Sequence, residues 1–447
     1  MPTPVSQTTK NAPLPPGPRL APLQTALYVR DPYRYTRRLR QRYGDIVGMP
    51  AMNGLIVLAM TSEGARKILS TPMEKFGEAF GADVLTPVLG EGSLLLLAGE
   101  RHRTERQLLS PTFHGNRMRA LSDVIEAVTL ERMEQWKPGT ELRLFDEMQS
   151  ISLDVIIRAV LGIEEPERRA IFRTAIRRVI QDANPAIFFF KAAQHRFGGL
   201  GPWARFLRHR DELDALMNEE IHKARQSSGE DHPHILARLA QSSREDGQPF
   251  SDVSIRDHLL TLLVAGHETT SSALSWAFYE LSINPDVCDW LLGEIQADVS
   301  EPKSLIRNAA LDATSRESLR LHPILAEFFR PVRESMLFGG FTIPAGATLA
   351  ASILEIHQDP SLYPEPAIFR PQRFIERRFA PHEFAAFGGG HRHCLGSAFA
   401  LAEMKIVLGT LLPRLRFEPA SASPPGTKLR NVTLTPSDGI PVIVRNR

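Results

Sequence analysis

The strongest chemical signal in the sequence is the run FGGGHRHCLG at residues 387–396, which contains one of the two cysteines in this 447-residue chain. Cys394 directly precedes an apolar stretch with the pattern of a helix. Free N–H groups and a partial positive charge at a helix N-terminus favour a thiolate. The glycines allow close approach of the backbone, with φ angles that other residues avoid. A thiolate beside the flat apolar surface of Phe387 and Leu395 would be suited to act as a ligand of a metal. Arg392 could then form hydrogen bonds with a carboxylate of the same bound group.

Three other interpretations of this loop remain open from its residues alone. A lone buried cysteine is usually an inert small hydrophobe. His391, His393 and Cys394 are also zinc-ligand types, although the sequence offers no partner pair at ligand spacing. A nucleophilic cysteine would need a base, and a neighbour on the same strand is badly placed for that role. The loop by itself does not decide between them.

A second signal lies in one long helical pattern at residues 252–283, with AGHETTS at its centre. Gly266 in a helix interior costs ~1 kcal/mol relative to alanine. Glu268 and Thr269 place polar groups among apolar ones, which is costly unless they are paired. Conflicts of this kind are expected at functional sites. A kinked surface helix with a polar stripe would show the same pattern.

Charged residues at helical spacing form a third signal. Glu317 and Arg320, spaced i, i+3, lie in a predicted helix that ends before Pro323, and Arg373 follows in RPQRF. These three side chains have the types of a buried Glu–Arg–Arg cluster. His102 and Arg106, spaced i, i+4, share one helix face, which would also be the pattern of a solvated basic surface.

The loop resembles the haem-binding segment F-x-x-G-x-R-x-C-x-G of the cytochrome P-450 superfamily. All its fixed positions are present, at Phe387, Gly390, Arg392, Cys394 and Gly396. The resemblance extends over nearly the whole chain, from about Leu14. It implies a mainly α fold with a small β subdomain, a long central helix over the haem, and haem b with Cys394 as its axial thiolate ligand.

The resemblance also assigns roles to the other signals. The central segment is similar to A-G-x-[DE]-T-[ST], carried by Ala265, Gly266, Glu268, Thr269 and Thr270. It implies a small residue that leaves room for dioxygen and an acid–alcohol pair that delivers protons. Glu317, Arg320 and Arg373 match a structural network, with Gln372 replacing the family's glutamate. The resemblance implies that the haem propionates are held by His102, Arg106, Arg330 and Arg392.

The function implied is a monooxygenase that inserts one atom of O2 into a C–H or C=C bond of a lipophilic substrate. Electrons would come from NAD(P)H through a separate ferredoxin or flavodoxin with its reductase. In the peroxide-using branch an Arg-Pro pair replaces the acid–alcohol pair, so Glu268 and Thr269 favour dioxygen. A peroxide-driven hydroxylase and a non-enzymatic haem sensor are the alternatives, and a haem-free helical scaffold is a remote further one.

Two surfaces are predicted from the implied fold. Arg101, Arg103, Arg377 and Arg378 would form a basic patch for an acidic redox partner. The substrate pocket would be walled by segments 79–96, 184–206, 259–269, 324–329 and 433–439. Its expected apolar side chains are Phe80, Leu85, Leu94, Phe188, Phe189, Leu262, Val264, Leu325 and Phe328. Glu327 is the exception, as an outward-facing residue or a polar anchor.

The bulk composition fits one soluble globular unit, at 43% hydrophobic and 23% charged residues. A net charge of +2 argues against a dedicated nucleic-acid binder. Two cysteines are too few for a disulfide framework, and neither a secretory signal nor a ~20-residue apolar run is present. We therefore expect a cytoplasmic monomer with no membrane span, organised as a flexible Pro-rich leader at 1–20 and a single domain at 21–447.

The remaining local patterns predict particular elements. A strand is expected at 54–60, a surface loop at 225–251, a small sheet after Pro323 and irregular structure at 357–374. The last residues, 431–444, have the pattern of a β-hairpin that turns at 436–439.

Overall fold

The computed structural model describes residues 12–52, 54–113, 116–183, 194, 199–226, 234–243, 247–298 and 302–447. Helices dominate these residues. Those of the first half are α1 (Ala21–Arg30), α2 (Pro32–Tyr43), α3 (Ser62–Ser70), α4 (Ala82–Leu89), α5 (Gly99–Leu109), α6 (Asn116–Met133), α7 (Leu144–Ile156), α8 (Pro166–Asp182) and α9 (Pro202–Gln226). Those of the second half are α10 (Ile235–Gln241), α11 (Asp252–Ile283), α12 (Pro285–Asp298), α13 (Pro302–Leu305), α14 (Ala309–Leu321), α15 (Ile353–His357), α16 (Arg373–Glu376) and α17 (Ser397–Leu411).

The strands are short and form small sheets. They are β1 (Ile46–Ala51), β2 (Gly54–Ala59), β3 (Glu141–Arg143), β4 (Glu327–Pro331), β5 (Met336–Phe338), β6 (Phe341–Ile343), β7 (Thr348–Ser352), β8 (Leu415–Pro419), β9 (Thr427–Arg430), β10 (Thr433–Pro436) and β11 (Pro441–Asn446). The largest sheet has the order β1-β2-β7-β4, with β2 and β7 parallel and the other pairs antiparallel. The prediction of a mainly α protein with a small β part is confirmed.

The long central helix, α11, runs over 32 residues, and Ser251 caps it by accepting a hydrogen bond from the N–H of Ser254 at 3.2 Å. Between Ser254 and Leu281, Ala265 is its only exposed residue. A helix buried on nearly every side must pack tightly against its neighbours. A Cβ on Gly266 would lie 2.7 Å from Cδ1 of Ile156 in α7, so glycine allows the two helices to approach.

The predicted hairpin at 436–439 is wrong. Strand β10 forms a hairpin with β9, the strand that precedes it, across the two-residue turn Asn431–Val432. Strand β11 pairs with β3 and β8 instead. Asn431 has φ +56, which asparagine tolerates better than most residues. Strand β11 buries Val442 and Val444 and gains two partner strands in this arrangement.

The predicted surface loop at 225–251 also needs correction, because it contains α10. Ile235, Leu236 and Leu239 of that helix are buried in the main core. The charged residues on either side obscured the apolar pattern of this short helix in the sequence. The parts at 227–233 and 244–246 lie outside the described residues.

Three other local predictions agree with the structure. The helix at 252–283, the strand near 54–60 and the sheet after Pro323 are all present. Residues 12–20 form neither helix nor strand, and the carbonyls of Pro13 and Pro16 accept hydrogen bonds from Thr342 and Gly48. In the part of the chain that the structure describes, no helix has the length and hydropathy needed to cross a bilayer.

Candidate active site

The loop that presents Cys394 is shaped by its glycines and by one backbone hydrogen bond. Gly388 and Gly390 both have φ +62, a left-handed conformation that favours glycine. The N–H of Cys394 donates to the carbonyl of Phe387 at 2.9 Å, which closes the loop. A Cβ on Gly389 would lie 2.7 Å from Cδ1 of Leu69, so this glycine lets the loop pack against α3. Gly396 is the N-cap residue of α17, and Cys394 therefore lies just before that helix.

The Cys394 side chain is exposed although protein surrounds it, as at the wall of a cleft. The surrounding protein raises the pKa of its thiol, while the N–H of Gly396 and the charge of Arg106 act in the opposite direction. An accessible sulfur with a donor and a cation beside it can serve as an anionic ligand. Within the described residues no three His, Cys, Asp or Glu side chains converge as a metal site, so the zinc interpretation gains no support.

Four basic side chains converge beside this loop, and we call them the His102 cluster: His102, Arg106, Arg330 and Arg392. Burial first, and then the three arginines and His391, lower the pKa of His102 to about 3. Burial and the charge of Arg392 lower the pKa of Arg330 to about 10. Burial and Arg106 lower the pKa of Arg392 to about 10 as well. Burial and the close packing of positively charged groups make this arrangement electrostatically costly, because no carboxylate of the described residues neutralises them.

Backbone carbonyls hold two members of the His102 cluster in place. Arg330 donates to the carbonyls of Phe329 and Gly389, each at 2.8 Å. Arg392 donates to carbonyls in the segment 94–97, with the closest contact to Leu97. Among the described residues, none of the three arginines forms an ion pair with a carboxylate. A cluster of this kind could receive an acidic group from a bound molecule.

A second opening lies on the central helix. Ala265 is exposed and Thr269, one turn later, is partly exposed, although the helix around them is buried. The hydroxyl of Thr269 donates to the carbonyl of Ala265 at 2.7 Å. Leu262, one turn earlier on the same face, is also only partly buried. This face therefore keeps accessible surface on a helix that is otherwise buried.

Glu268 points towards a different part of the molecule. Its Oε1 accepts a hydrogen bond from Thr433 at 3.2 Å, and the guanidinium of Arg430 lies 3.6 Å away. Burial raises the pKa of this carboxyl, and Arg430 and Thr433 partly oppose the shift. No hydrogen bond joins the Glu268 and Thr269 side chains, both of which are described. The sequence analysis included Thr433 in a predicted pocket segment, but it gave neither Thr433 nor Arg430 a role at Glu268, since only the β9–β10 pairing brings them to the central helix.

The three residues Glu317, Arg320 and Arg373, which we call the Glu317 cluster, meet as the spacing suggested. Arg320 binds both carboxylate oxygens of Glu317, at 2.7 and 2.8 Å, and Arg373 binds one at 3.0 Å. Side-chain exposures of 0%, 0% and 4% mean that these charges are compensated within the protein. The remaining N–H groups of both arginines donate to backbone carbonyls at 357–368.

His357, which the sequence analysis did not identify, connects this cluster with the cysteine loop. Its Nε2 accepts from the N–H of Ala385 at 3.0 Å, so the neutral ring carries its proton on Nδ1, which donates to the carbonyl of Arg320 at 3.2 Å. Burial and the nearby Arg320 lower the pKa of His357 to about 3. A histidine in EIHQDP has no periodic signal that would reveal this bridge.

The predicted pocket residues are placed unevenly. Leu85, Leu262 and Val264 are partly buried and Leu325 is 36% exposed. Leu94 and Phe328 are buried in core clusters, and Phe80 stacks on Phe329 at 4.5 Å. Glu327 is buried and accepts a hydrogen bond from the hydroxyl of Tyr28 at 2.5 Å, so it does not face outward. Phe188 and Phe189 lie outside the described residues.

Comparisons with known proteins agree with this geometry. The cytochrome P-450 family model matches residues 13–443. Cytochrome P-450 135A1 of Mycobacterium tuberculosis is 32% identical over 431 residues, covering 95% of this chain and 94% of the relative. Cytochrome P-450 138 of Mycobacterium bovis is 32% identical over 452 residues, covering 99% of this chain and 100% of the relative. A solved structure of retinoic acid-bound cyanobacterial CYP120A1 superposes with a TM-score of 0.85 at 25% identity, over 98% of this chain and 100% of that one.

The chain belongs to the cytochrome P-450 family. The family's cofactor is haem with a cysteine thiolate ligand. The residues of this chain fit that group, because an accessible Cys394 stands beside three buried or partly buried arginines that have no carboxylate of their own among the described residues.

Proposed function

We propose that this protein is a haem-thiolate monooxygenase that inserts one atom of O2 into a C–H or C=C bond of a lipophilic substrate. The observation that carries the proposal is the His102 cluster, three arginines and a histidine without a carboxylate beside an accessible Cys394. Cys394 would bind the iron of haem b, and His102, Arg106, Arg330 and Arg392 would hold its propionates. When bound, haem supplies the activation of dioxygen and the transfer of one oxygen atom.

The residues of the central helix are proposed to manage protons. Ala265 leaves space on this helix face, whereas Gly266 packs against Ile156 of α7, and the single hydroxyl proton of Thr269 is engaged by the Ala265 carbonyl. The oxygen of Thr269 can therefore accept a hydrogen bond from a group in that space, and rotation of the hydroxyl passes a proton on. Burial raises the pKa of Glu268 and so favours a form that has a proton to give. Delivery from Glu268 to Thr269 requires the carboxyl to leave Thr433.

The substrate is proposed to be a neutral or weakly polar lipophilic molecule. Phe80, Leu85, Leu262, Val264 and Leu325 are the predicted wall residues among those described that keep exposed surface. Burying apolar ligand surface against such residues gains about 25 cal/mol per Å². The neighbouring solved structure holds retinoic acid, a largely apolar molecule with one carboxyl group, which supports the lipophilic character of the substrate but not its neutrality.

Electrons are proposed to arrive from NAD(P)H through an acidic ferredoxin or flavodoxin and its reductase, in the cytoplasm, with the enzyme a monomer. Arg101 and Arg378 are exposed and form no ion pair with any described residue. Arg103 and Arg377 are engaged by Glu100 at 3.7 Å and Glu383 at 2.5 Å, so they are less available. Reversing the charge at Arg101 and Arg378 should slow reduction at low salt, whereas Arg307→Glu should not.

The carbon-monoxide difference spectrum of the reduced protein tests the haem-thiolate assignment. The wild type should give the red-shifted Soret band of thiolate ligation, and Cys394→Ala should lose it. A wild-type band at the position typical of histidine ligation would overturn the assignment.

The coupling between NAD(P)H consumed and product formed tests the proton path. Thr269→Ala should divert much of the reducing power to hydrogen peroxide, while Thr269→Ser, which keeps the hydroxyl, should stay coupled. Equal coupling in wild type and Thr269→Ala would remove Thr269 from the mechanism.

A further inference from the structure

A cleft of about 310 Å³ lies between helices α6, α7 and α8, and none of its lining residues belongs to the proposed active site. We call it the α6–α7–α8 cleft. Its charged lining residues are Arg132, Arg169, Arg173, Arg177, Glu131 and Asp154. Three of the four arginines recur every fourth residue within the single helix α8, so they share one face of that helix.

The two carboxylates of the cleft are already bound to arginines. Asp154 accepts hydrogen bonds from Arg173 on both of its oxygens, at 2.9 and 2.7 Å. Glu131 accepts from Arg169 at 3.1 Å. These carboxylates therefore stabilise particular arginines of the lining and do not supply a partner for the remaining one.

Arg177 is the arginine of the cleft that has no such partner. It forms no ion pair with any described residue, and its one hydrogen bond in that part of the chain goes to the hydroxyl of Ser150 at 3.0 Å. Burial is the main cause that lowers the pKa of Arg177, followed by the charge of Arg173. Asp154 opposes the shift and Arg132 adds to it. Arg177 is therefore an accessible cation in a neighbourhood of other guanidinium groups.

The chemistry of these groups matches a phosphate dianion. Guanidinium groups bind phosphate oxygens through parallel, charge-assisted hydrogen bonds, and the remaining N–H groups of Arg177 are available for them. Arg132 and Arg173 would add attraction, although Arg132 is itself held by Glu147 at 2.6 Å. The cleft volume lies at the lower end of the range for small-molecule sites, ~300–1,000 Å³, so an organic group attached to the phosphate could also be accommodated.

We propose that the α6–α7–α8 cleft binds a phosphate dianion, free or carried by a small molecule, with Arg177 as its main contact. The hydroxyl of Ser150 orients the guanidinium of Arg177, and the neighbouring arginines of α6 and α8 strengthen the attraction. The binding itself does not depend on the proposed reaction.

The position of the cleft connects it electrostatically with the central helix α11. Burial is the main cause that lowers the pKa of His267 to about 4, and the charges of Arg430 and Arg177 add to it. Helix α7, which lines the cleft, also packs through Ile156 against Gly266. A dianion on Arg177 would offset its charge at the helix that is proposed to manage protons, and this consequence rests on the proposed function.

Isothermal titration calorimetry of the haem-loaded full chain tests the proposal. The probes are inorganic phosphate and adenosine monophosphate, with sodium chloride keeping the ionic strength constant. Saturable binding of one phosphate group per chain is expected. Arg177→Gln should weaken it roughly 10- to 100-fold, as for a lost charged hydrogen bond. Arg178→Gln is the matched control, because Arg178 is the next residue of α8, is exposed and pairs with Glu212 at 3.7 Å outside the cleft. It should leave the dissociation constant nearly unchanged.

A conservative variant and the second probe sharpen the result. Arg177→Lys keeps the charge but loses the planar pair of donors, so its affinity should lie between those of the wild type and Arg177→Gln. Tighter binding of adenosine monophosphate would support a phosphorylated small molecule as the ligand, and equal affinities would support free phosphate. Absence of saturable binding of both probes overturns the proposal. Equal losses in Arg177→Gln and Arg178→Gln also overturn it, since they would show a general charge effect. Unchanged haem content and melting temperature in each variant exclude misfolding as the cause.

Discussion

The Glu317 cluster and the His102 cluster both bring arginines into the protein interior near the Cys394 loop, but only the first contains a carboxylate. Arg320 and Arg373 both bind Glu317, and their remaining N–H groups donate to backbone carbonyls. In the His102 cluster each cation instead lowers the pKa of its neighbours. A buried charge without a partner is costly, so an acidic group from outside the chain would stabilise the second arrangement.

The difference separates a cluster that stabilises the fold from a cluster that is proposed to bind a ligand. The Glu317 cluster is complete in the polypeptide itself, and its loss should damage the fold whether or not haem is present. Under the proposed function the His102 cluster receives an acidic ligand, so its loss should matter mainly when the ligand binds. The two clusters are joined by residues 385–389, because His357 holds Ala385 and Arg330 holds the carbonyl of Gly389.

The largest effect is expected from Glu317→Gln. This change leaves two buried guanidinium groups facing a neutral amide, which should lower the free energy of unfolding by about 3–5 kcal/mol. Urea unfolding of the apoprotein and of the haem-loaded protein measures it. The control is Glu63→Gln, which breaks an exposed Glu–Arg pair of the same i, i+3 spacing and should change stability little. A Glu317→Gln protein as stable as wild type would contradict the framework role.

Arg106→Gln should show the opposite dependence on haem. The apoprotein should be as stable as wild type or slightly more stable, because repulsion within the His102 cluster falls. Haem affinity should drop roughly 10- to 100-fold, which corresponds to a charged hydrogen bond of about 1.5–3 kcal/mol. Haem transfer to an excess of apomyoglobin measures the affinity change. Arg103→Gln, an exposed neighbour on α5, is the control, and a loss of apoprotein stability at Arg106 without a loss of haem affinity would refute the assignment.

Some residues of these clusters could be predicted from the sequence, and some of their partners could not. The i, i+3 spacing of Glu317 and Arg320 and the loop pattern around Cys394 are local, so the residues could be identified directly. The partners that come from distant segments could not, because no local pattern reports pairing across more than a hundred residues. Thr433 reaches Glu268 only through the β9–β10 pair, which replaced the hairpin predicted one turn later.

The fold was predictable in its long elements and less so in its short ones. Helix α11 has 32 residues and a clear cap, whereas α10 has seven residues between charged segments and was taken for a loop. The orientation of Glu327 was also beyond the sequence, since strand alternation does not say which face is covered by α1.

The bridge at His357 gives a pH-dependent prediction. Its folded pKa of about 3 lies below the ordinary value of 6.5, so the unfolded chain binds the extra proton between those values and stability falls as the pH drops from 6.5 towards 3. His357→Gln removes the imidazole ring that takes up this proton. The wild type should exceed the variant in stability by about 1–3 kcal/mol at pH 7.5, from two lost hydrogen bonds. That advantage should shrink by about 2 kcal/mol at pH 5.

Urea unfolding at the two pH values measures the His357 effect. His222→Gln, at an exposed position, serves as the control and should change the free energy little at either pH. An advantage of the wild type that grows on acidification would show that His357 is charged in the folded protein.

The smallest effect is expected in the segment that joins the two clusters. Gly388 has φ +62 and a Cβ there would meet nothing closer than 3.9 Å, so Gly388→Ala adds backbone strain without a steric clash. The left-handed conformation costs a residue with a Cβ about 1–2 kcal/mol. The segment cannot relax easily, because His357 fixes one end and Arg330 the other. Gly293→Ala in α12 is the matched control, since it also has open space but lies in a helix, where alanine should raise stability by up to ~1 kcal/mol. Urea unfolding of both apoproteins should therefore give shifts of opposite sign. A neutral Gly388→Ala would mean that residues 385–389 move freely and that the two clusters are not mechanically connected through them.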